Sequence, residues 1–388
     1  MGDERVVPHT SRVASPLTLE RVRRDVEVVA HAGLDLDTFL AEAVESVARA
    51  VPWVSACLAT HDPSTHLLTS ARKYGHLSGV DSHDHEFGLV EYGAVEPTAF
   101  TELVVAEVPA AGVHLATGGE IERSTRMSSF MVPRFGFGDE ARLAFRDGGQ
   151  AWGAMALFRG SDEAPFSEQD VELLASLSAS FARGVRTGML SRFAATAPAL
   201  PASGPAVLIV GPDDQVVQTS LGAEERMADL ITSESGGNPL APISALVGAA
   251  RRYARGEIAS PPRSRIRAAS GMWLVLHATP LSALGDRVGD VVVTIEEARP
   301  PEIVALVVAA FGLTQRERDV TQLVLQGVDT KEIAATLHVS AYTVQDHLKS
   351  VFDKADVRSR RELIARIYFD QYVPRMGSEL GTSGWFGA

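Results

Sequence analysis

Helix boundaries are written four times over between Leu313 and Phe369, and so short and so punctuated a stretch has few folds open to it. Thr314 stands three residues before Glu317, the spacing at which a capping hydroxyl and a glutamate satisfy each other's helix-end donors, with Leu313 outside as an apolar staple. Gly327 stops that helix after Val320, Leu323 and Val324 have formed its apolar side. Asp329 and Glu332 repeat the spacing, Ser340 can cap a third helix, and Ser359 with Glu362 restores the capping box for a fourth. Ile333, Ala334 and Leu337, then Val344, Leu348, Val351 and Phe352, then Leu363, Ile364 and Ile367 recur at mostly three- and four-residue intervals. Each helix therefore carries one apolar side, and four of them in fewer than sixty residues can share one small core.

The second and third helical patterns, TKEIAATL and YTVQDHLKSVFDKA, are separated only by His338-Val339-Ser340, the layout of a helix-turn-helix. The stretch closely resembles the LuxR-type helix-turn-helix domain of bacterial transcription regulators. LTQRE at 313–317, Gly327, KEIAATL at 331–337, S-x-x-TV-x-x-HL at 340–348 and RSRREL at 358–363 follow that family's pattern. The resemblance implies that the helix beginning near Tyr342 enters the major groove and turns Gln345, Asp346 and Lys349 toward bases or the adjacent backbone. It puts Thr343 near phosphate at the groove mouth and Val344 and Leu348 in the core, and Lys331, Arg358 and Arg360 are further candidate DNA contacts. An amide at Gln345 can pair in bidentate fashion with adenine, and Asp346 can accept from cytosine or simply repel phosphate. Tyr342 and Gln345 stand where relatives often carry lysine.

Charge alone does not mark this stretch as a nucleic-acid binder, because nine basic residues face eight acidic ones between Leu313 and Phe369. With +1 here and −13 overall, the remaining residues carry about −14, so the upstream part should repel DNA and leave contact to the tip. Few phosphate contacts release few counterions, so one copy should bind weakly and a dimer reading two half-sites is the natural remedy. The expected partners are double-stranded DNA with a two-half-site operator, a second copy of the chain, and RNA polymerase.

A chain of 388 residues suits two or three domains rather than one core. No basic-ended apolar leader opens it and no uninterrupted apolar run reaches membrane-spanning length, so a cytoplasmic protein without membrane contact is expected. The single cysteine, Cys57, excludes an internal disulfide and a clustered thiolate metal site, and its strand-like flanks read it as buried filler. The expected fold class is multidomain α+β, closing on the all-α four-helix tip.

Residues 1–16 read as a loose polar arm. From 17 to 190, two helices are followed by the strands VSACLATH and HLLTSARKYG, a loop-rich middle, and ARLAFRD and WGAMALFR flanking a hairpin turn at Asp147-Gly148-Gly149. A last amphipathic helix presents Val171, Leu174, Leu177 and Phe181. From RLAFRDGGQAWGAMALFRG to PFSEQDVELLASLSASFARGV this segment resembles a GAF domain. That resemblance implies a ligand between the sheet and the crossover, with Tyr74, Tyr92, Phe100 and Phe130 as candidate walls; packing alone is the competing reading of each. His83, Asp84, His85 and Glu86 could coordinate a metal, yet adjacent loop residues point different ways, and no metal or cofactor is expected. The helices near 17–30 and 168–186 are candidates for a dimer seam.

A Pro/Ala/Ser linker at 191–204 breaks both periodicities. From 205 to 298 follow two strands, short helices and three strands paired across turns at Ser270-Gly271 and Gly285-Asp286, an antiparallel sheet layout that resembles a degenerate PAS domain. Met227, Trp273 and His277 could line a pocket there or only fill a core. Residues 299–312 form an apolar coupling helix opened by proline, 313–370 the tip, and 371–388, with Pro374, Gly377, Gly381 and Gly384, a mobile tail.

No GxxxxGK loop, GxSxG elbow, HExxH pair or CxxC site occurs, so an enzyme is not expected. Two readings stay open: a transcription regulator whose upstream domains sense an unidentified small molecule and set dimer geometry, and one whose upstream domains are only interaction or dimerisation platforms. The aromatics of the 78–134 crossover discriminate them, by enclosing a cavity or by filling a core.

Overall fold

The computed structural model describes residues 14–191, 205–231, 238–282 and 288–368. Nearly all of the expected arm and linker, the turn at Gly285-Asp286 and the whole expected tail lie outside the described residues.

Helix α1 (Pro16–His31) starts at Ser15, whose hydroxyl accepts from the Thr18 N–H, and α2 (Leu36–Ala48) starts at Asp35, which accepts from the Thr38 N–H. Strands β1 (Ser55–His61) and β2 (Leu68–Gly75) follow, then the crossover, then the long hairpin β4 (Phe137–Asp147) and β5 (Gln150–Gly160). Asp147 pairs with Gln150, leaving Gly148 and Gly149 at φ +58° and +81°, the left-handed pair that a two-residue hairpin turn requires. The antiparallel sheet runs β2-β1-β5-β4-β3. Its edge strand β3 (Ala110–Gly112) was not foreseen, and the crossover is mostly short helices rather than loop: α3 (Asp84–Gly93), α4 (Phe100–Val105), α5 (Val113–Ala116), a single 3-10 turn, a π turn and α6 (Val132–Phe135). Segments of three to ten residues are too short to show a helical period, and tertiary packing decides them.

One face of this sheet is covered by α1, α2 and α7 (Glu168–Ser191), with Val26, Phe39, Leu177 and Phe181 buried against Leu143, Phe145 and Met155. The two helices proposed as a dimer seam, α1 and α7, here pack on each other. Gly184 of α7 lets Phe39 approach so closely that a Cβ there would lie 2.1 Å from the ring. Phe100, Phe130, Phe137 and Phe158 fill the other face.

The second domain comprises β6 (Ala206–Val210), β7 (Val216–Thr219), α8 (Ala223–Ala228), α9 (Leu240–Ala254), β8 (Arg263–Arg267), β9 (Trp273–Pro280) and β10 (Val291–Glu297). Its antiparallel order, β7-β6-β10-β9-β8, repeats the neighbour relations of the first sheet. Helix α9 lies across this sheet and also against α3 of the first domain, so that Tyr92, Leu68 and the second core form one apolar cluster. At that crossing a Cβ on Gly88 would sit 2.9 Å from the Ser244 Cβ.

Beyond it, α10 (Pro300–Ala310) leads to α11 (Gln315–Leu325), α12 (Thr330–Leu337), α13 (Ala341–Ala355) and α14 (Arg360–Tyr368). Val320, Val324, Ile333, Val344, Val351, Leu363 and Ile367 form the core of the tip, continuous with α10 and Trp273. Among the described residues no helix is long and apolar enough to cross a membrane.

Candidate nucleic-acid interface and its attachment to the body

Ser340 starts α13 by accepting the Thr343 N–H at 3.0 Å, and its hydroxyl lies 2.8 Å from the Thr343 hydroxyl. The connection before it turns at His338, which adopts φ +54° without being glycine. Val344, Leu348, Val351 and Ala355 are buried. Tyr342, Gln345, Asp346 and Lys349 are exposed and fall at intervals of three, one and three, a single stripe along the helix. Thr343 is half-buried with its hydroxyl in the cap, while Tyr342, 73% exposed, leads the stripe.

Lys331 is exposed in the first turn of α12, where its N–H donates to Asp329 at 2.8 Å. Backbone donors at Glu332 and Lys331 hold the Asp329 carboxyl below its ordinary range, helped by the nearby Arg360 charge. Arg358 is exposed, and its backbone N–H donates to Glu362. Arg360 is half-buried, with Nε and Nη2 lacking a hydrogen-bond partner among the described residues. The candidate contacts thus divide between the α13 stripe and the starts of α12 and α14.

Glu317 does more than cap α11. Besides accepting the Thr314 N–H at 2.7 Å, it accepts from Lys354 and Ser350 of α13, each at 2.6 Å. Burial works to raise its pKa, and the bonds from Lys354, Ser350 and Thr314 outweigh that and hold it at about 2. The sequence signal was present, since Ser350 and Lys354 are one helical turn apart, but nothing in the sequence says which helix they face.

The tip is fastened to the body through α10. Arg265 of β8 donates to Asp62 of the first domain from Nε at 2.8 Å, from Nη2 at 2.6 Å and from its backbone N–H at 2.9 Å. The same guanidinium reaches Ser64 at 2.7 Å and the Glu302 carbonyl of α10 at 3.1 Å. One buried arginine therefore joins first domain, second domain and coupling helix. At the far end of α10, Gly312 has φ +65° and stands over Arg186, which pairs with Asp147 at 2.8 Å. An open groove of about 610 Å³ separates the exposed side of α10 from the β4–β5 hairpin, floored by Leu325 and Tyr368.

Of the five aromatic residues proposed as pocket walls, Tyr92, Phe100 and Phe130 line a cavity of about 50 Å³ between the first sheet and the crossover. Tyr74 and Trp273 do not. Successive strand residues face opposite ways, and Lys73 takes the cavity side, which sends Tyr74 toward the α1–α2–α7 layer. Trp273 likewise turns to α10 while its neighbour Leu274 enters the second core. Cys57 is half-buried filler on the cavity wall, its thiol pushed up to about 12 by burial. The His83–Glu86 run opens α3 rather than forming a loop, and its members are separately engaged: Asp84 with Lys73 at 2.6 Å, His85 with Ser244 at 2.5 Å, Glu86 with Arg134 at 3.0 Å. Sequence reasoning missed a buried ionic cluster in which Arg126 meets Glu140 at 2.9 Å and Arg142 meets Glu91 at 2.8 Å, tying the crossover to β4.

Residues 312–367 match the family described as bacterial regulatory proteins, luxR family. The spore germination protein GerE of Bacillus subtilis (strain 168) is 38% identical over 55 residues, 14% of this chain and 74% of that protein. A putative HTH-type transcriptional regulator in the exeN 3′ region of Aeromonas salmonicida is 49% identical over 51 residues, 13% of this chain and 26% of that protein. The chain therefore spans about a quarter of the length of the Aeromonas relative. Among solved structures, a VqmA–ligand–DNA complex from Vibrio cholera is similar over 42% of this chain and 82% of that chain, at 19% identity and a TM-score of 0.23.

Proposed function

Because the chain belongs, through its C-terminal domain, to the luxR family of bacterial regulatory proteins, we propose that it is a DNA-binding transcription regulator that works as a homodimer on a two-half-site operator. The observation that carries this is the exposed Tyr342, Gln345, Asp346, Lys349 stripe on α13, backed by a fully buried opposite side. A rigid helix with a free polar stripe and a fixed N-terminal cap suits insertion into the major groove. Dimerisation follows from charge, since a tip of net +1 gains little from counterion release alone.

Control belongs to the upstream part, with the GAF-like and PAS-like domains setting the separation of two tips through α10. Arg265 supports this reading, because a change in the docking of the first two domains alters what holds the Glu302 end of α10. The platform reading keeps one observation in its favour: Phe100 and Phe130 are buried in packed surroundings and the space left between them is small. The test compares operator affinity and half-site spacing preference of the full chain and of the 300–388 fragment by fluorescence anisotropy. Control by the body predicts different spacing preferences; identical affinities and preferences would sink it. Native mass measurement of the full chain separates the sensing reading from the platform reading.

A further inference from the structure

We infer that the small cavity of the first domain is a binding site for a compact, uncharged, mostly apolar molecule with one hydrogen-bond acceptor, held by the ring Nδ1–H of His61 and closed off by the second domain. This names a ligand class for the sensing half of the proposal above and rests on that half only for its consequence at DNA.

His61 ends β1, is fully buried and lies on the cavity wall. Its Nε2 is 3.2 Å from the Tyr92 hydroxyl. Among the described residues the buried Tyr92 hydroxyl has one acceptor for its proton, Nε2; the opposite assignment would leave that proton without one. The proton of neutral His61 then sits on Nδ1, and Nδ1 has no hydrogen-bond partner among the described residues. Burial keeps the ring neutral, lowering its pKa to about 3. A buried N–H with nothing to meet it is costly, and a cavity beside it is where an acceptor would stand.

The other walls define what that acceptor is attached to. Leu68, Phe100, Phe130 and Ala156 are apolar, and the one ammonium at the cavity, Lys73, is already held by two carboxylates, Asp84 and Asp81, each at 2.6 Å. With its ammonium taken by two carboxylates, the cavity wall has no free cation to hold an anion, and its apolar side has nothing to meet a charged group. The space is about 50 Å³, against roughly 10–15 Å³ for one water, so it suits a molecule of about four to six heavy atoms. One wall, Ala241, belongs to α9 of the second domain. A bound molecule therefore touches both domains at the α3–α9 crossing, where Gly88 already leaves no slack.

The full chain, labelled with ¹⁵N-histidine, is titrated with cyclopentanone and with methylenecyclopentane, probes of one shape that differ in the acceptor. Saturable binding of the ketone is expected, about tenfold or more tighter than the alkene, with the His61 Nδ1 proton shifting as the site fills. Ala241→Leu, which fills the space from the second domain, should weaken ketone binding at least as much while the fold's melting transition persists. His61→Phe repeats the test if it folds; the labelled wild-type chain decides it if it does not. Equal affinity for both probes, ketone binding indifferent to Ala241→Leu, or a His61 proton that exchanges with water and ignores the probe would overturn the site, the last showing a cavity that holds water alone. Ketone binding that leaves operator affinity unchanged would keep the site and remove the sensing role.

Discussion

Glu317 receives three donors from two elements, and so fixes the angle at which α13 leaves the core. Its folded pKa of about 2 lies below the ordinary 4.5. The sign follows: the stabilisation is fully present above about 4.5 and is lost as pH falls toward 2. Glu317→Gln should cost roughly 1–3 kcal/mol at neutral pH and flatten that acid limb, read by hydrogen exchange of the α13 amides in the full chain. An unchanged pH profile would mean that another group carries it. On the exposed stripe the two candidate readers should separate. Lys349→Ala should weaken binding to all sequences and lower the salt slope, whereas Gln345→Ala should relax preference at one base position by about 1–3 kcal/mol. Indifference of both, measured on randomised operators, would mean that α13 docks differently.

Among elements, those punctuated locally were legible and those decided by distant partners were not. Thr314, Asp329 and Ser340 announce helix starts within three residues, and Gly148-Gly149 announces the hairpin, because caps and tight turns are chemistry between near neighbours. The exposed stripe of α13 was legible for the same reason, since helical period alone separates Val344 and Leu348 from Gln345 and Lys349. The 78–134 crossover was not, its helices being too short to establish a period and its strand β3 being defined only by pairing with β4. Tyr74 and Trp273 show a subtler limit. Alternation says that neighbours on a strand face opposite ways, but not which face meets a cavity when both faces are covered. The Glu317 and Arg126 clusters escaped for the related reason that a charge does not name its partner.

At the scale of the whole molecule, the question is whether the body and tip move as one, and the acidic body gives it weight: a −14 body held against a +1 tip keeps repulsion near any DNA the tip approaches. The polar link between them runs through Arg265, which donates to the Glu302 carbonyl of α10 and is paired with Asp62, 203 positions away and likewise buried. A buried pair of this kind contributes little when compared with a well-packed apolar replacement, yet removing one member strands the other, at about 3–5 kcal/mol. Asp62→Asn and Arg265→Met should therefore each be strongly destabilising, while the double variant should cost clearly less than the two together. Urea denaturation of the full chain measures all three, and hydrogen exchange at the start of α10 locates the effect. If Arg265 joins the domains to the coupling helix, both single variants loosen the Glu302 turn before the tip core opens. Additive costs, or an α10 whose exchange is unchanged, would show that the tip is held by the apolar contacts of Ile303, Leu306 and Val307 alone and that the arginine carries no signal to it.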